Sequence, residues 1–314
     1  MSGYDGPAMA RHFLSIDDLD APELSTLLDR SAAVKASPRD VADRLVGMAV
    51  AMIFEKPSTR TRVSLEVAIS STGGHPLALS SAELQLGRGE TIEDTGRVLS
   101  RYVDAIVLRT FGQDRLVALA RTSTVPVVNA LSDLEHPCQC LADLLTIREH
   151  KGSLAGLVLA YVGDGNNVAH SLLLGGAKLG MAVRVATPPG YEPIPQVVDR
   201  AAEIGKATGA SVEILHDPAT ACSGADVLYT DVWASMGQEA ETAERARVFG
   251  PYRIDQAAVD LAKPDCIVLH CLPAHRGQEI TDEVIDGPHS VVWDQAENRM
   301  HTQKALLLWL MGRD

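Results

Sequence analysis

Met48-Ala49-Val50-Ala51-Met52-Ile53-Phe54-Glu55-Lys56-Pro57-Ser58-Thr59-Arg60-Thr61-Arg62 is the stretch on which the fold turns. Residues 48–54 form a continuous apolar run of strand length, and Pro57 followed by Ser58 or Thr59 supplies a turn and a helix N-cap. Downstream, Val63, Leu65, Val67 and Ile69 alternate as in a strand, while Leu65, Ala68 and Ile69 also satisfy helical spacing. The cap decides for a helix. An anion placed here meets free backbone N–H groups, the positive end of a helix dipole and bidentate Arg forks. Standing alone, the run reads equally well as a solvated basic stretch with helix-end hydroxyls.

Working outward, strand-length runs recur at 48–54, 103–108, 125–129, 156–162, 182–187, 211–215, 225–230, 265–270 and 290–293, separated by helix-length segments. This alternation predicts parallel sheets with helices on both faces. With 314 residues the natural division is two domains of about 150 residues each. The expected boundary falls in or after the helix beginning at Pro137, giving domains 1–150 and 151–294, with a strongly apolar final helix over 295–314. No apolar run approaches the roughly 18 residues needed to cross a bilayer, and the start lacks the pattern of a secretion signal. A cytoplasmic protein is expected. Five cysteines, at 138, 140, 222, 266 and 271, show no disulfide-framework spacing and are expected to be thiols. A net charge of −13 argues against nucleic acid or an acidic membrane as partner, so any phosphate site is a local exception to the global sign.

In open parallel sheets, ligands bind at the carboxyl ends of strands. Three polar clusters of the second half sit there: Gly163-Asp164-Gly165-Asn166-Asn167, Asp231 through Gly237, and His270-Cys271. Such a rim suits a small zwitterion, its ammonium on Asp231 and Ser235 and its carboxylate on amide and backbone donors. The glycine pair lacks the third glycine of a dinucleotide fingerprint, Val168 standing in its place. Asn167 reads either as the cap of the following helix or as a ligand group. His136, Cys138, Cys140, His270, Cys271 and His275 raise the question of zinc, but Cys-x-Cys with distant histidines is a weak pattern and no metal is expected. Cys271 is a candidate nucleophile. His270 is not expected to be its base, because adjacent strand residues point to opposite faces, and it also reads as a packed core histidine. His136 precedes Pro137 near a helix start, with its ring free to reach a ligand.

Together, Ser58-Thr59-Arg60-Thr61-Arg62, His136-Pro137-Cys138-Gln139 through Leu141-Ala142-Asp143, Asp231-Val232-Trp233-Ala234-Ser235-Met236-Gly237 and His270-Cys271-Leu272-Pro273 closely resemble the signature segments of the aspartate/ornithine carbamoyltransferase family, in particular its ornithine branch. The resemblance runs from His12-Phe13-Leu14-Ser15 to Glu297-Asn298-Arg299-Met300-His301. Two departures, Leu65 where many relatives carry Phe and Cys140 in a variable slot, fall at apolar packing positions.

The resemblance implies an α/β fold of two doubly wound parallel-sheet domains joined by interdomain helices, the last helix packing back on the first domain. It implies transfer of the carbamoyl group of carbamoyl phosphate to the δ-amine of L-ornithine, giving L-citrulline and phosphate without a cofactor. Ser58, Thr59, Arg60, Thr61 and Arg109 would hold the phosphate, with Gln85 and Cys271 also among the residues that bind carbamoyl phosphate. Arg60, Thr61, Arg109, His136, Gln139, Arg299 and the main chain at Leu272 would hold the carbamoyl group. Asn167, Asp231, Ser235 and Met236 would hold ornithine, with Cys271 beside the attacking nitrogen to position it or help take its proton. Because the donor is already a mixed anhydride, alignment and fixed donors on the developing oxyanion carry the rate, and Arg60, Thr61, Arg109, His136 and Gln139 are the expected donors. Gln85-Leu86-Gly87-Arg88-Gly89-Glu90 resembles the family loop that reaches a neighbouring subunit's site, which implies a homotrimer. Two rival readings stand beside this one: a carbamoyltransferase for putrescine or an N-acylornithine, and a catalytically silent binding subunit. A free amino-acid head group is favoured by Asp231 with Ser235-Met236-Gly237.

Overall fold

The computed structural model of the chain describes residues 10–80, 89–234 and 241–314. In chain order these form α1 (Ala21–Ala36), β1 (Ala49–Phe54), α2 (Thr59–Ser70), β2 (His75–Ser80), α3 (Ile92–Leu99), β3 (Ala105–Arg109), α4 (Gln113–Thr122), β4 (Val127–Leu131), α5 (Pro137–Lys151), β5 (Val158–Val162), α6 (Asn167–Lys178), β6 (Ala182–Ala186), α7 (Pro195–Thr208), β7 (Ser211–Leu215), α8 (Pro218–Cys222), β8 (Val227–Thr230), α9 (Thr242–Phe249), α10 (Gln256–Leu261), β9 (Ile267–His270), α11 (Asp282–Ile285) and α12 (Val292–Leu310).

The chain divides into two compact units. The first comprises the described residues of Met1–Asp18, Asp29–Cys138 and Met300–Asp314, and the second Leu19–Leu28 and Gln139–Arg299. The chain therefore passes between units four times, between Asp18 and Leu19 and inside α1, α5 and α12. The first unit holds a parallel sheet in the order β2-β1-β3-β4, and the second a parallel sheet in the order β7-β6-β5-β8-β9. In each, the chain winds outward from an inner strand, β1 or β5, then returns to build the other side. That reversal creates a switch point between β1 and β3, and another between β5 and β8.

The inner strands are apolar because helices cover both faces. Ala51, Ile53, Ile106 and Leu108 join Leu116 and Leu119 of α4 in one core. Ala160, Val162, Leu228 and Val268 join Phe249, Tyr252 and Ile285 in the other. The two sheets begin their central pairs with the same device. Asp104, just before β3, accepts the Ala49 N–H through its carboxylate at 2.8 Å. Asp226, just before β8, accepts the Val158 N–H at 2.9 Å.

Those aspartates explain why β3 and β8 start at 105 and 227 rather than at the 103 and 225 where the apolar runs begin. Two sequence expectations are overturned. Residues 290–293 are not a strand: Ser290 makes one isolated bridge to Val268, and α12 starts at Val292. Conversely, residues 75–80 lie outside the strand-length runs of the sequence but form β2. Pro76 hid it, and it is tolerated because β2 pairs only with β1 at the sheet edge.

Candidate active site

In the first unit, the carboxyl ends of β1 and β3 lie side by side, Phe54 in register with Arg109. Beyond β1, Ser58 takes an extended conformation and caps α2, its Oγ accepting the Thr61 N–H at 3.3 Å. The cap turns the remaining first-turn N–H groups toward the strand ends, the arrangement an anion requires. Thr61 is buried beneath the helix start, while Thr59 and Arg60 are exposed. Arg109 ends β3 and is buried. His136 is buried immediately before Pro137, the first residue of α5. Arg62 takes another direction, its Nε donating to Glu66 one turn on at 2.9 Å. Lys56 is a buried cation absent from the sequence reading. Its ammonium donates to Asp133 at 2.6 Å and sits 4.2 Å from the ring centroid of Phe111.

In the second unit, Asp231 at the end of β8 is held on both oxygens. Asn166 donates from Nδ2 to Oδ2, and the Cys271 thiol donates to Oδ1, each at 2.9 Å. Asn166, rather than Asn167, is the cap of α6, its Oδ1 accepting from Val168 and Ala169 N–H at 2.9 and 3.3 Å. One asparagine thus anchors the helix and orients the carboxylate. Asn167 is the first residue of α6. The glycines beside them have packing reasons unrelated to a nucleotide: Gly163 adopts φ +148, and a Cβ on Gly165 would stand 2.3 Å from the Pro193 nitrogen.

His270 is a packed core histidine with both ring nitrogens engaged. Its Nδ1 accepts the Leu272 N–H at 2.8 Å, which puts the ring proton on Nε2, facing Glu279 Oε1 at 3.0 Å. That bond helps hold Leu272 at φ +58, unusual for a branched residue, and so orients the main chain where the motif bends. Ligand-capable atoms of Asp231, His270 and Cys271 lie within 4.8 Å of one another, yet each takes part in the hydrogen bonds just described. Cys138 and Cys140 donate to the carbonyls of Asn129 and Ser171 as packed thiols, and none of the five cysteines forms a disulfide.

Burial, then the charge of Asp231 and the hydrogen bond to it, push the Cys271 thiol well above its ordinary range. These effects favour the thiol form, a hydrogen-bond donor to Asp231. Gln139 is engaged on one side. Its Nε2 donates to Asp143 Oδ1 at 2.8 Å, and its buried Oε1 has no partner among the described residues, so its uncommitted atom is an acceptor rather than a donor. Arg299 lies buried on α12. Arg245, also unread in the sequence, fastens two rim loops: Nη1 donates to Asp164 Oδ2 and to the Trp233 carbonyl, both at 2.8 Å. Burial raises Asp164 to about 6, with Arg245 pulling against that shift. Gln85, Ser235 and Met236 lie outside the described residues. Asn166 was legible as a cap from Gly-Asn-Asn before an apolar helix, and Asp143 as the end of a signature segment, whereas nothing local in the sequence marks Arg245.

Two family models match the chain. Residues 11–149 match the aspartate/ornithine carbamoyltransferase carbamoyl-P binding domain, and residues 155–310 match the Asp/Orn binding domain. The chain is 62% identical over 305 residues to the ornithine carbamoyltransferase of Parafrankia sp., covering 96% of each. It is 63% identical over 304 residues to that of Acidothermus cellulolyticus, covering 96% of this chain and 97% of the relative. The solved ornithine carbamoyltransferase of Pyrococcus furiosus superposes with a TM-score of 0.93 at 55% identity, covering 96% of this chain and 97% of that one. Two switch-point sites on two parallel sheets, both domain matches and this depth of identity place the chain in the aspartate/ornithine carbamoyltransferase family.

Proposed function

We propose that the chain transfers the carbamoyl group of carbamoyl phosphate to the δ-amine of L-ornithine, releasing L-citrulline and phosphate. The observation that carries this reading is Asp231, a buried carboxylate at the β5/β8 switch point, oriented by Asn166 and Cys271 as a fixed counter-charge. A buried carboxylate calls for a cationic partner, and the α-ammonium of a free amino acid supplies one. Putrescine brings no carboxylate, and an acylated α-nitrogen brings no charge for Asp231. The names of the relatives agree on ornithine.

In this reading, residues 1–150 with 295–314 bind carbamoyl phosphate and residues 151–294 bind ornithine. The capped start of α2, with Ser58, Thr59, Arg60 and Thr61, takes the phosphate, helped by Gln85 and Arg109. Arg60, Thr61, Arg109 and His136 stabilise the carbonyl oxygen as negative charge grows on it. Gln139, Leu272 and Arg299 hold the rest of the carbamoyl group. Asn167, Asp231, Ser235 and Met236 bind ornithine. The neutral δ-amine attacks the carbamoyl carbon, the bond to the phosphate oxygen breaks, and the departing phosphate takes the proton that nitrogen sheds. Cys271, as a thiol, positions the nitrogen. Alignment is worth effective molarities on the order of 10⁵ M or more, and each oxyanion donor roughly 10²–10³ in rate.

We read the assembly as a cytoplasmic homotrimer serving arginine biosynthesis, a relative from Pyrococcus furiosus being named anabolic. No helix among the described residues is long and apolar enough to cross a membrane. Citrulline formation with ornithine, putrescine and N-acetylornithine as acceptors tests the function, and a rate highest with either of the latter two would overturn it. Sedimentation equilibrium tests the trimer.

A further inference from the structure

Asp143 belongs to a motif of the sequence, yet none of the roles assigned above uses it. It is fully buried on α5 and is the meeting point of three donors. Gln139 Nε2 donates to its Oδ1 at 2.8 Å, Gln295 Nε2 to the same oxygen at 2.7 Å, and Tyr229 OH to its Oδ2 at 3.1 Å. Gln295 also donates to Tyr229 OH at 3.1 Å, and its own Oε1 accepts the His270 N–H at 2.9 Å. One carboxylate therefore ties Gln139, Tyr229 and, through Gln295, the strand end that precedes Cys271 and Leu272.

The consequence lies in the Gln139 carboxamide. Its two ends have nearly the same shape, and only a hydrogen-bonding neighbour decides which end is oxygen. Turned over, Gln139 would set its oxygen against Asp143 Oδ1, two acceptors facing each other. Asp143 thus leaves Oε1 as a buried acceptor without a partner among the described residues, and such an atom calls for an explanation. An incoming N–H donor supplies it. Burial lifts Asp143 to about 7, while the bonds from Gln139, Gln295 and Tyr229 and the charge of Arg299 pull it back toward the carboxylate.

We propose that Asp143 is a positioning residue for donor selectivity: by accepting Gln139 Nε2–H it presents Gln139 Oε1 to the NH2 of the carbamoyl group. This deepens, and rests on, the carbamoyl transfer proposed above. A site built to bond an N–H group rejects the analogue that lacks it, because its buried acceptor is left unpaired. Acetyl phosphate is that analogue, with a methyl group in place of NH2.

The test compares dissociation constants of carbamoyl phosphate, acetyl phosphate and inorganic phosphate for the full-length native protein, Asp143→Ala and Asp143→Asn. Asparagine keeps one oxygen able to accept from both glutamines and an NH2 for Tyr229 OH, so it serves as the rescuing variant. The native protein is expected to favour carbamoyl over acetyl phosphate, and Asp143→Ala to shrink that ratio by roughly tenfold or more. Asp143→Asn should retain it within about threefold, and inorganic phosphate should bind all three within about twofold. If a melting curve shows the alanine variant unfolded, Asp143→Ser replaces it, its hydroxyl too short to reach Gln139. An undiminished ratio in the folded alanine or serine variant, or an equal loss in Asp143→Asn, overturns the role of Asp143 and leaves carbamoyl transfer standing. A native protein that makes no citrulline, or shows no preference for carbamoyl phosphate, overturns both.

Discussion

The Cys271 thiol lies 2.9 Å from Oδ1 of Asp231, and the proton between them belongs to sulfur. Burial and the neighbouring carboxylate both oppose a thiolate, so the thiol is a donor across the neutral range. The rise of kcat/KM with pH then comes from the substrate, whose amine resembles a lysine with an intrinsic pKa near ~10.4. Cys271→Ser keeps a donor for Asp231. Its kcat/KM for ornithine is expected to climb from about pH 6 to beyond pH 8 in parallel with the native protein. A serine profile that loses the rising limb would return the base role to Cys271.

Arg60→Ala removes a charge-assisted fork at the capped start of α2, on an exposed residue that no core depends on. Turnover should fall by at least about 10²–10³ with an unchanged melting curve. Near-normal steady-state kinetics would sink the phosphate-site assignment.

Asp231→Asn is not a silent isostere here. Because Asn166 Oδ1 is committed to capping α6, its Nδ2 must face residue 231, and so must the Cys271 thiol. An amide at 231 can satisfy only one of those donors, and it loses the charge that meets the α-ammonium. Calorimetry with norvaline in the presence of carbamoyl phosphate should show a loss of about tenfold or more, against a small change for carbamoyl phosphate itself. Unaltered norvaline affinity would remove Asp231 from the ornithine site.

Asp143 also gives stability a pH dependence with a definite sign. Its pKa rises from the ordinary 3.8 to about 7 on folding. Between those values the folded chain binds more protons than the unfolded one, so this group's contribution to stability falls as pH rises through the window. Asparagine has no such proton. The melting temperature of Asp143→Asn, relative to the native protein, should therefore improve from about pH 5 to pH 7.5. A constant difference across that range would mean that Asp143 does not titrate there.

Arg245→Met would strand Asp164 and release the Trp233 carbonyl, and breaking a buried ion pair on one side typically costs about 3–5 kcal/mol. Since both partners sit on rim loops around Asp231, KM for ornithine should rise along with the loss of thermal stability. Denaturant melts together with kinetics would show it; a stability loss with unchanged KM would confine Arg245 to the fold.

Much of this protein can be read along the chain because strands, helices and caps are set by near neighbours. The run from Met48 to Arg62 already contains a strand, a turn, a cap and a helix, and the structure has β1, Ser58 and α2 in those places. The polar clusters after β5, β8 and β9 likewise follow from chain order alone. Tertiary structure decided what depends on groups remote in sequence. Pro76 speaks against a strand until β2 is placed at an edge where its missing N–H goes unused. Gln139 reads as a donor until Asp143 takes its nitrogen. Cys271 reads as a possible thiolate until Asp231, 40 positions earlier in the chain, meets it in a buried site. Chain order determines which residues reach the rim, but hydrogen-bond direction and protonation are set by burial and by whichever charge the fold brings within reach.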